Sequence, residues 1–556
     1  MNIRFIDAQP VDPMQERLDA LAKTAAVLAA EAIPVVDPVS SVSYRSAGRT
    51  LVVGSAAQAL PWADRLAAAL PVTVLLLDGD EAGAAARTYP VHSARMVAVA
   101  GWLGAFEARW QAPGQSAQQE RFDLVLDLCP SPLIATHQSP HGYYAPGPDE
   151  AARHAAAKAL LDMVGDFEKP KYFNYKERLC AHSRNQLTGC SACIDICSAR
   201  AISGAGDKIK VNPYLCAGCG ACTTVCPSGA LGYAYPPAAH TGSRIKAALG
   251  AFAEAGGLKP VLLFHSAEEG AAMLEAAQAD IPGRVIPMAL HHTASTGIDV
   301  WLAALAYGAA GVTVLMTDAE APQYAAALEL QMQVAQAVLD GLGYAGPHFQ
   351  LLRMAAPAEL AVALRHAPRG DAPAAAATFN LAADKRNTLD YALDHLHRHA
   401  PQQPMEVALP AGAPFGAITV NRDTCTLCMS CVGACPAAAL QDSPTTPELR
   451  FIEKNCVQCG LCATTCPENA ITLVPRMSFA ETRNQAVVMN ATEPFHCIRC
   501  NKPFGTLQMV ENMLGRLGQH PAFSGHLDRL RMCGDCRVID MMQPQDEMKV
   551  TSLRRT

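Results

Sequence analysis

Twenty of the 21 cysteines in this 556-residue chain fall into three groups, and no other feature limits the possible folds so strongly. The groups span residues 180–226, 425–466 and 497–536, and only Cys129 stands apart. Within each group the cysteines recur at spacings of two and three residues, which are typical of metal ligands. The alternative, a disulfide framework, suits short secreted chains rather than a long one. The pattern therefore predicts metal sites in three parts of the chain.

The group at 425–466 contains one cysteine run twice. Each run has the spacing C-x2-C-x2-C-x3-C followed by proline, beginning at Cys425 and again at Cys456. In this pattern three closely spaced thiolates hold one [4Fe–4S] cluster, and the fourth, expected at the start of a helical turn, binds the neighbouring cluster. Zinc is the alternative, but two complete runs favour clusters. Crossing the fourth ligands predicts one cluster on Cys425, Cys428, Cys431 and Cys466 and a second on Cys456, Cys459, Cys462 and Cys435.

The group at 180–226 is a less regular version of the same arrangement. Its second run, which begins at Cys216, is complete, but its first run has nine residues between Cys180 and Cys190 where two are usual. Loop closure becomes only slowly more costly with length, so such an excursion is tolerated. Two alternatives stay open for Cys180: it is a buried thiol beside a three-iron cluster, or His182 is the ligand instead. Crossed ligation predicts one cluster on Cys180, Cys190, Cys193 and Cys226 and another on Cys216, Cys219, Cys222 and Cys197.

A hexapeptide repeat indicates two modules of two half-repeats each. The repeat Cys-(Pro/Ser)-x-x-Ala-(Ile/Leu) begins at Cys197, Cys226, Cys435 and Cys466, and the first copy has Ser198 in place of proline. With these motifs, both modules resemble bacterial dicluster ferredoxins of the 2[4Fe–4S] family. The resemblance implies one-electron transfer, with each cluster cycling between its 2+ and 1+ states.

The C-terminal group consists of two CxxC pairs, Cys497 with Cys500 and Cys533 with Cys536. Four thiolates in two such pairs suit a tetrahedral structural Zn²⁺, as in zinc ribbons. A mononuclear iron of the rubredoxin kind and a fifth cluster are the alternatives. Glycine often follows rubredoxin pairs, and its absence after both pairs here weakens the iron interpretation. The sequence therefore predicts one zinc ion that stabilises a small C-terminal domain.

Outside these groups the sequence alternates helical and strand-like segments. After a helix at 15–30, apolar runs begin at residues 51, 72, 96 and 123, and a second set begins at 260, 285, 311 and 349. Each set predicts a small α/β domain with a largely parallel sheet. The apolar run at 300–316 approaches membrane-spanning length, but its glycines and β-branched residues predict a buried helix followed by a strand.

The predicted fold class is multidomain α/β plus α+β. It comprises two ferredoxin-like dicluster modules, two small α/β domains and a C-terminal zinc-ribbon-like domain. The predicted domains are 1–165 (N-terminal helix and α/β domain), 166–240 (first dicluster module), 241–405 (second α/β domain and linker), 406–480 (second dicluster module) and 481–556 (zinc-ribbon-like domain).

The second α/β domain weakly resembles the delta subunit of methyl-viologen-reducing hydrogenase over residues 258–355. The resemblance rests on the order of the segments PVLLFH, VIPMALHH and IDVWLAALAYGAAGVTVL. That family often carries cysteines for a [2Fe–2S] cluster, and this segment has none. The resemblance therefore implies a docking or scaffolding domain. His265, His291 and His292 lie near predicted strand ends, where hydrogen-bonded or partly exposed imidazoles are expected rather than metal ligands.

Charge and motif content bear on partners and location. The formal net charge is −7, and thiolate-bound clusters add negative charge, which disfavours nucleic acid and favours a redox partner with a basic docking face. The N-terminus has no export signal, so we expect a cytoplasmic protein without membrane insertion.

The sequence contains no recognisable catalytic site, which favours an electron-transfer subunit or carrier. A scaffold with structural clusters and an oxidoreductase with an unrecognised active site in an α/β domain are the alternatives. In domain order the chain is similar to large multidomain 4Fe–4S proteins that accompany formate dehydrogenase systems. That similarity implies formate dehydrogenase or another oxidoreductase as the partner.

Overall fold

Two compact units make up the chain. The computed structural model describes residues 12–78, 87–112, 116–184, 186–277, 281–518 and 526–542. The first unit comprises Met1–Glu177 and Ser191–Gln403, and the second comprises Arg178–Cys190 and Pro404–Thr556. The short segment 178–190, which the sequence places inside the first cysteine group, therefore makes its contacts in the second unit.

Fifteen α-helices lie within the described residues and are numbered in chain order. Those of the first unit are α1 Pro13–Glu31, α2 Ala56–Leu66, α3 Glu150–Leu161, α4 Ala192–Asp195, α5 Ala221–Thr224, α6 Ala238–Glu254, α7 Glu269–Ala277, α8 Ile298–Ala306, α9 Gln323–Gly341, α10 Pro357–Arg365 and α11 Lys385–Arg398. Those of the second unit are α12 Ser430–Ala434, α13 Leu461–Thr465, α14 Leu507–Leu517 and α15 Gly534–Met542.

The strands are short and are numbered in the same way. The first eleven are β1 Ser41–Ser46, β2 Thr50–Gly54, β3 Val72–Leu76, β4 Val91–Ser93, β5 Met96–Ala100, β6 Phe106–Gln111, β7 Gln118–Phe122, β8 Leu124–Asp127, β9 Tyr143–Tyr144, β10 Gly165–Pro170 and β11 Phe173–Tyr175. The next nine are β12 Ser183–Arg184, β13 Leu187–Thr188, β14 Ile202–Ala205, β15 Lys208–Val211, β16 Leu231–Tyr233, β17 Val261–Ser266, β18 Val285–Leu290, β19 Gly311–Met316 and β20 Phe349–Arg353. The last eight are β21 Glu406–Ala408, β22 Gly416–Val420, β23 Leu440–Asp442, β24 Glu448–Phe451, β25 Ile471–Ser478, β26 Val487–Ala491, β27 Pro494–His496 and β28 Pro503–Thr506.

A five-stranded parallel sheet forms the first α/β core, in the order β4-β3-β2-β8-β9. The apolar runs predicted at 51, 72 and 123 form its central strands, and Val52, Val74 and Leu126 are fully buried there. The run at 96 behaves differently, because β5 joins β6 and β7 in a separate antiparallel sheet. A five-residue apolar run does not by itself distinguish parallel from antiparallel pairing.

A second parallel sheet has the order β18-β17-β19-β20. The four apolar runs predicted from residue 260 onward form it. Strands β17 and β19 are buried along their whole length, as expected where helices cover both faces of a parallel sheet. The apolar run at 300–316 is divided between the buried helix α8 and β19, as predicted. Within the described residues, no helix is both long enough and apolar enough to cross a membrane.

The N-terminal helix α1 packs against α6 and β18, which belong to the second α/β region. The helix begins where Asp12 accepts a hydrogen bond from the Met14 N–H at 2.9 Å, with proline at the first helical position. Lys23 donates to the carbonyls of Ile281 and Pro282 at 3.0 and 3.2 Å. The helix therefore makes its tertiary contacts more than 200 residues further along the chain.

The second unit is built from antiparallel sheets and short helices. Its two larger sheets have the orders β21-β25-β22 and β23-β24-β26. Strand β25 pairs with β22 over the span 471–475, directly after the second cysteine run. Strand β24 is the middle strand of the other sheet and ends just before that run. The sheets thus hold both ends of each cysteine loop.

Candidate metal centres

Each cysteine run of the second unit is a loop that ends in one short helix. Met429 and Gly460 are the N-caps of helices α12 and α13, and their left-handed backbone reverses the chain between the second and third cysteines. The fourth cysteines, Cys435 and Cys466, are the C-caps of these helices. A further turn starts at each of them: the Asn469 N–H donates to the Cys466 carbonyl at 3.3 Å, and turn residues follow Cys435 at 436–437. The fourth cysteine therefore lies between the end of a short helix and the start of a turn.

One cavity of the second unit is lined by Cys425, Cys428, Cys431 and Cys466, the four residues that crossing assigns to one cluster. Cys425 and Cys431 are buried, whereas Cys428 is exposed. Burial and the thiolates of the other three cysteines raise the pKa of Cys431 to about 12. Four thiolates therefore coexist here only with a cation among them, and the irons of a cluster would supply that charge.

A second cavity of the same unit is lined by Cys456, Cys459, Cys462 and Cys435. Apolar side chains complete its wall, among them Ile418, Phe451 and Leu461. Burial, followed by the charges of Cys456, Cys459 and Cys435, raises the pKa of Cys462 to about 12. This donor set of four soft thiolates in an apolar wall fits a [4Fe–4S] cluster in the same way as the first.

The four copies of the hexapeptide repeat share one backbone turn. The residue before its alanine has a left-handed backbone in all four copies, at Arg200, Gly229, Ala438 and Asn469. In two copies the alanine N–H then donates to the fourth cysteine, Ala201 to the Cys197 sulfur at 3.2 Å and Ala470 to the Cys466 sulfur at 3.3 Å. In the copy at Cys226 the next residue does so, since Leu231 donates to the Cys226 sulfur at 3.5 Å. The repeat thus provides backbone hydrogen bonds to ligand sulfurs, which influence reduction potential.

In the first unit, Cys197, Cys216, Cys219 and Cys222 lie together. Burial and the charges of Cys219, Cys216 and Cys197 place the pKa of Cys222 well above its ordinary value. Helix α5, which carries Cys222, has the left-handed Gly220 as its N-cap, as α13 has Gly460. This group therefore repeats the local geometry of the second cavity.

Two lysines hold the carbonyl groups around these loops. Lys169 in β10 donates to the carbonyls of Cys216 at 2.8 Å and Tyr214 at 3.0 Å, and burial lowers the pKa of Lys169 to about 8. Lys385, at the start of α11, donates to the carbonyls of Thr223, Thr224 and Cys226. Sequence analysis missed both lysines, because neither belongs to a motif and only the fold brings them to these carbonyl groups.

The cysteines of the remaining predicted cluster divide between the units. Cys180 and Cys190 lie on the segment 178–190 of the second unit, whereas Cys193 and Cys226 belong to the first. His182, the alternative ligand, places Nδ1 2.9 Å from the Cys190 carbonyl oxygen, and its own carbonyl accepts from Gly189 and Cys190. The imidazole therefore stabilises the loop between the two cysteines.

Gly189 sets how closely this loop packs within the second unit. A methyl group added there would overlap the Leu461 side chain of α13 and come within 2.7 Å of the Ala181 carbonyl oxygen. Gly189→Ala is therefore expected to destabilise the packed loop by about 1–3 kcal/mol. Trypsin cleavage after Arg184, followed in the intact protein, measures the opening of the loop.

The matched control for this prediction is Gly515→Ala in α14, where an added methyl group meets no neighbour within 4 Å. That change should leave the cleavage rate unaltered and stabilise its helix slightly. Equal cleavage rates for Gly189→Ala and the unmodified chain would show that the loop does not depend on this packing.

The four C-terminal cysteines form one compact group, in which the sulfurs of Cys497, Cys500, Cys533 and Cys536 all lie within 4.8 Å of one another. The sulfurs of Cys500 and Cys533 are 3.6 Å apart. Tetrahedral coordination with metal–sulfur bonds of about 2.3 Å places neighbouring sulfurs about 3.8 Å apart. The spacing therefore fits one metal ion. A fifth four-iron cluster would hold its thiolates farther apart, because four irons and four sulfides lie between them.

The two C-terminal pairs are held by different elements. Cys497 and Cys500 lie in the turn of the β27–β28 hairpin, whereas Cys533 and Cys536 lie at the start of α15. Burial opposes ionisation of Cys497, but N–H groups of Cys533, Cys500 and Arg499 outweigh it and lower its pKa. The hydrogen bond to Cys500, with burial, raises the pKa of Cys536. Without a metal, Cys497 is therefore the cysteine that ionises most readily, and Cys536 keeps its proton. A bound cation would displace that proton.

The three histidines near strand ends have individual surroundings. His265 is buried, with Nδ1 3.0 Å from the Ser266 carbonyl oxygen. His291 stacks on Tyr172 with ring centroids 5.0 Å apart, and His292 accepts a hydrogen bond from Ala294 at 3.1 Å. Among the described residues, the four C-terminal cysteines are the only histidine, cysteine or carboxylate group close enough to hold a single metal ion.

Cys129, the cysteine outside the three groups, is buried after β8. Its backbone N–H donates to Asp127 at 2.9 Å. Burial, with the carboxylate of Asp127, raises the pKa of its thiol. The thiol is therefore neutral and belongs to the core of the first sheet.

Comparison with known families identifies two segments. Models of the 4Fe–4S dicluster domain match residues 188–230 and residues 424–471. The second match contains all eight cysteines of its module, whereas the first begins after Cys180. No curated protein matches the chain significantly. The chain therefore contains two 4Fe–4S dicluster domains, which are iron–sulfur domains of the electron-transfer type and support at least two clusters.

Proposed function

We propose that this chain relays single electrons through four [4Fe–4S] clusters to or from a separate oxidoreductase. The observation that carries the proposal is the pair of cavities in the second unit, each lined by four cysteines within a matched dicluster domain. A bound [4Fe–4S] cluster accepts and releases one electron at a time. The chain's own residues hold the thiolates, donate N–H groups to sulfur and surround the site with apolar side chains.

The exposed Cys428 marks a point for electron exchange. A cluster held by this cysteine lies near the surface of its unit, where a partner protein can approach it. The cavity of Cys456, Cys459, Cys462 and Cys435 is enclosed more fully, since none of its cysteines is exposed. We therefore assign the cluster of Cys428 to exchange with the partner and its neighbour to internal relay.

Two further clusters belong to the first module in this proposal. The group of Cys197, Cys216, Cys219 and Cys222 supports one of them, because its thiols already affect one another's pKa. The other uses Cys180, Cys190, Cys193 and Cys226, and the crossed pattern supports it, since without Cys180 the set would be one ligand short.

The C-terminal group holds a structural zinc ion in this proposal. Its sulfur spacing and closed set of four thiolates support a single tetrahedral ion with no open position, which is typical of structural zinc. Zinc would supply folding free energy there rather than chemistry.

The partner is proposed to be an oxidoreductase such as formate dehydrogenase, with a basic docking face for this acidic chain. Thiolate-ligated clusters persist best in a reducing compartment, which favours the cytoplasm. Neither α/β sheet is proposed to carry a catalytic site.

Metal analysis of the anaerobically purified chain tests the proposal. We expect about sixteen irons, about sixteen sulfides and about one zinc per chain, given four irons per cluster. EPR spectra recorded during reductive titration should show one-electron reduction of all four clusters. Eight irons or fewer would contradict the four-cluster assignment, and clusters that no donor reduces would contradict the relay.

A further inference from the structure

Lys169 of β10 holds its ammonium group beside the loop that carries Cys216. Its Nζ donates to the Cys216 carbonyl at 2.8 Å and to the Tyr214 carbonyl at 3.0 Å. The carbonyl oxygen and the sulfur of one cysteine are only four bonds apart, so the ammonium group lies within about 8 Å of the Cys216 sulfur. Crossed ligation places that sulfur on one cluster with Cys197, Cys219 and Cys222. The lysine therefore brings a positive charge close to this cluster site.

Aromatic side chains fix the position of the half-buried Lys169. Its Nζ lies 5.1 Å from the centroid of the Tyr44 ring, an arrangement in which the ring attracts a cation. The Tyr44 hydroxyl donates to the Tyr214 carbonyl at 2.8 Å, so the lysine and the tyrosine share one acceptor. Trp102 stacks on the Tyr214 ring with ring centroids 4.9 Å apart. The ammonium group is thus held by the protein rather than extended into solvent.

Among the described residues, Lys169 has no carboxylate partner, and the acceptors of its hydrogen bonds are neutral carbonyl oxygens. By comparison, Lys208 of the same unit pairs with Glu177 at 2.6 Å, and Lys259 pairs with Asp371 at 3.3 Å. Moving a charge out of water is costly unless an opposite charge lies near it. A cluster bound by four thiolates would supply that charge, because its net charge is negative and becomes more negative on reduction.

We propose that the positive charge of Lys169 raises the reduction potential of the cluster on Cys197, Cys216, Cys219 and Cys222. Reduction adds one electron to the cluster and leaves the lysine unchanged, so their attraction is stronger in the reduced state than in the oxidised one. Partial burial increases this difference, because the effective dielectric constant is lower than that of water. The proposal rests on the proposed function, because it requires a bound cluster.

Lys169→Met tests the proposal in the full chain. The variant keeps an unbranched apolar side chain but removes the charge. Redox titration of the anaerobically purified variant, followed by EPR, should show one cluster with a more negative potential. We expect the ratio of reduced to oxidised cluster at fixed ambient potential to fall by on the order of tenfold, which corresponds to about 59 mV for a one-electron couple. The affected signal is the one that disappears in Cys222→Ser.

Two further substitutions of Lys169 distinguish its charge from its hydrogen bonds. Lys169→Gln keeps an N–H donor without a charge, so it should lower the potential as Lys169→Met does. Lys169→Arg keeps the charge and should leave the potential close to that of the unmodified chain. A lysine that only held the loop in place would not produce this division between neutral and charged variants.

Lys246→Met is the matched control. Lys246 donates to the carbonyls of Thr378 at 2.6 Å and Phe379 at 3.2 Å, and its Nζ lies 5.8 Å from the centroid of the Tyr307 ring. It therefore has the same kinds of partner as Lys169, but none of its hydrogen bonds involves a cysteine. Its substitution should leave all four potentials unchanged.

Unchanged potentials in an iron-loaded Lys169→Met variant would overturn the proposal, as would an equal shift in Lys169→Arg or in Lys246→Met. If Lys169→Met loses iron, Lys169→Gln replaces it in the comparison with Lys169→Arg. Iron retained by Lys169→Arg alone would support the proposal, because the cluster would then depend on the charge itself, whereas loss of iron from all three variants would overturn it. Failure of the proposed function is a separate outcome, because it would already be seen as eight irons or fewer in the unmodified chain.

Discussion

Cys466→Ser is expected to remove the cluster whose other three ligands lie in the preceding cysteine run, while the neighbouring cluster remains. The reason is that Cys466 lines the cavity of Cys425, Cys428 and Cys431 rather than that of its own run. About four irons per chain should be lost, because each cluster contains four. Iron analysis and EPR of the anaerobically purified variant measure the loss.

Paired substitutions distinguish crossed from uncrossed ligation. Cys428→Ser combined with Cys466→Ser affects a single cavity, so the pair should lose no more than about four irons. Cys428→Ser combined with Cys435→Ser affects both cavities and should lose about eight irons. The reverse result, with the larger loss in the first pair, would show that each run supplies all four ligands of its own cluster.

Removing the C-terminal metal is expected to unfold the region from β27 to α15. Its buried cluster consists of Cys497, Cys533 and Cys536, with Phe504 and Met532 packed against them. Thiols thus provide most of this small core, and little apolar surface stabilises it when they carry no metal. Structural zinc in comparably small domains contributes an apparent binding free energy of roughly 10–16 kcal/mol to folding.

The measurement is hydrogen exchange of the region 494–542 in the full chain, with Cys533→Ala as the metal-free form. Protection of α15 should be lost, while protection of β22 and β25 should remain. Cys129→Ala serves as the control, since it removes a buried thiol from the first sheet and no predicted ligand. Retained protection in Cys533→Ala would show that this region folds without its metal.

The cysteine loops and the buried strands could be predicted from the sequence, because each is determined by residues that are close together in the chain. Short cysteine spacings leave a loop few ways to surround a cluster, and they determine which cysteines line each cavity between 425 and 466. The buried parallel strands were equally visible as apolar runs. The direction in which a strand pairs could not be read from the sequence. The run at 96–100 was therefore predicted to belong to the parallel sheet, although it pairs antiparallel.

The parts that could not be predicted depend on contacts between distant segments. Tyr324 and Lys385 reach the first cysteine group from helices about 100 residues or more further along the chain, and neither has a motif. Ser198 could be recognised as unusual in the sequence, since it replaces the usual proline. Its hydrogen bond to the Tyr324 hydroxyl could not be predicted. The short helix that begins before the third cysteine was hidden because Met429 adopts a left-handed backbone that sequence does not reveal.

The packing of Gly189 against Leu461 has a consequence for the order of events during synthesis. The two residues are 272 positions apart in the chain. At about 5–20 residues per second, the ribosome needs roughly 14–55 s to reach α13 after it has completed the loop. During this interval Cys180 and Cys190 are displayed on a nascent segment without its final support. Cluster insertion at these two cysteines is therefore expected to wait until α13 has been synthesised.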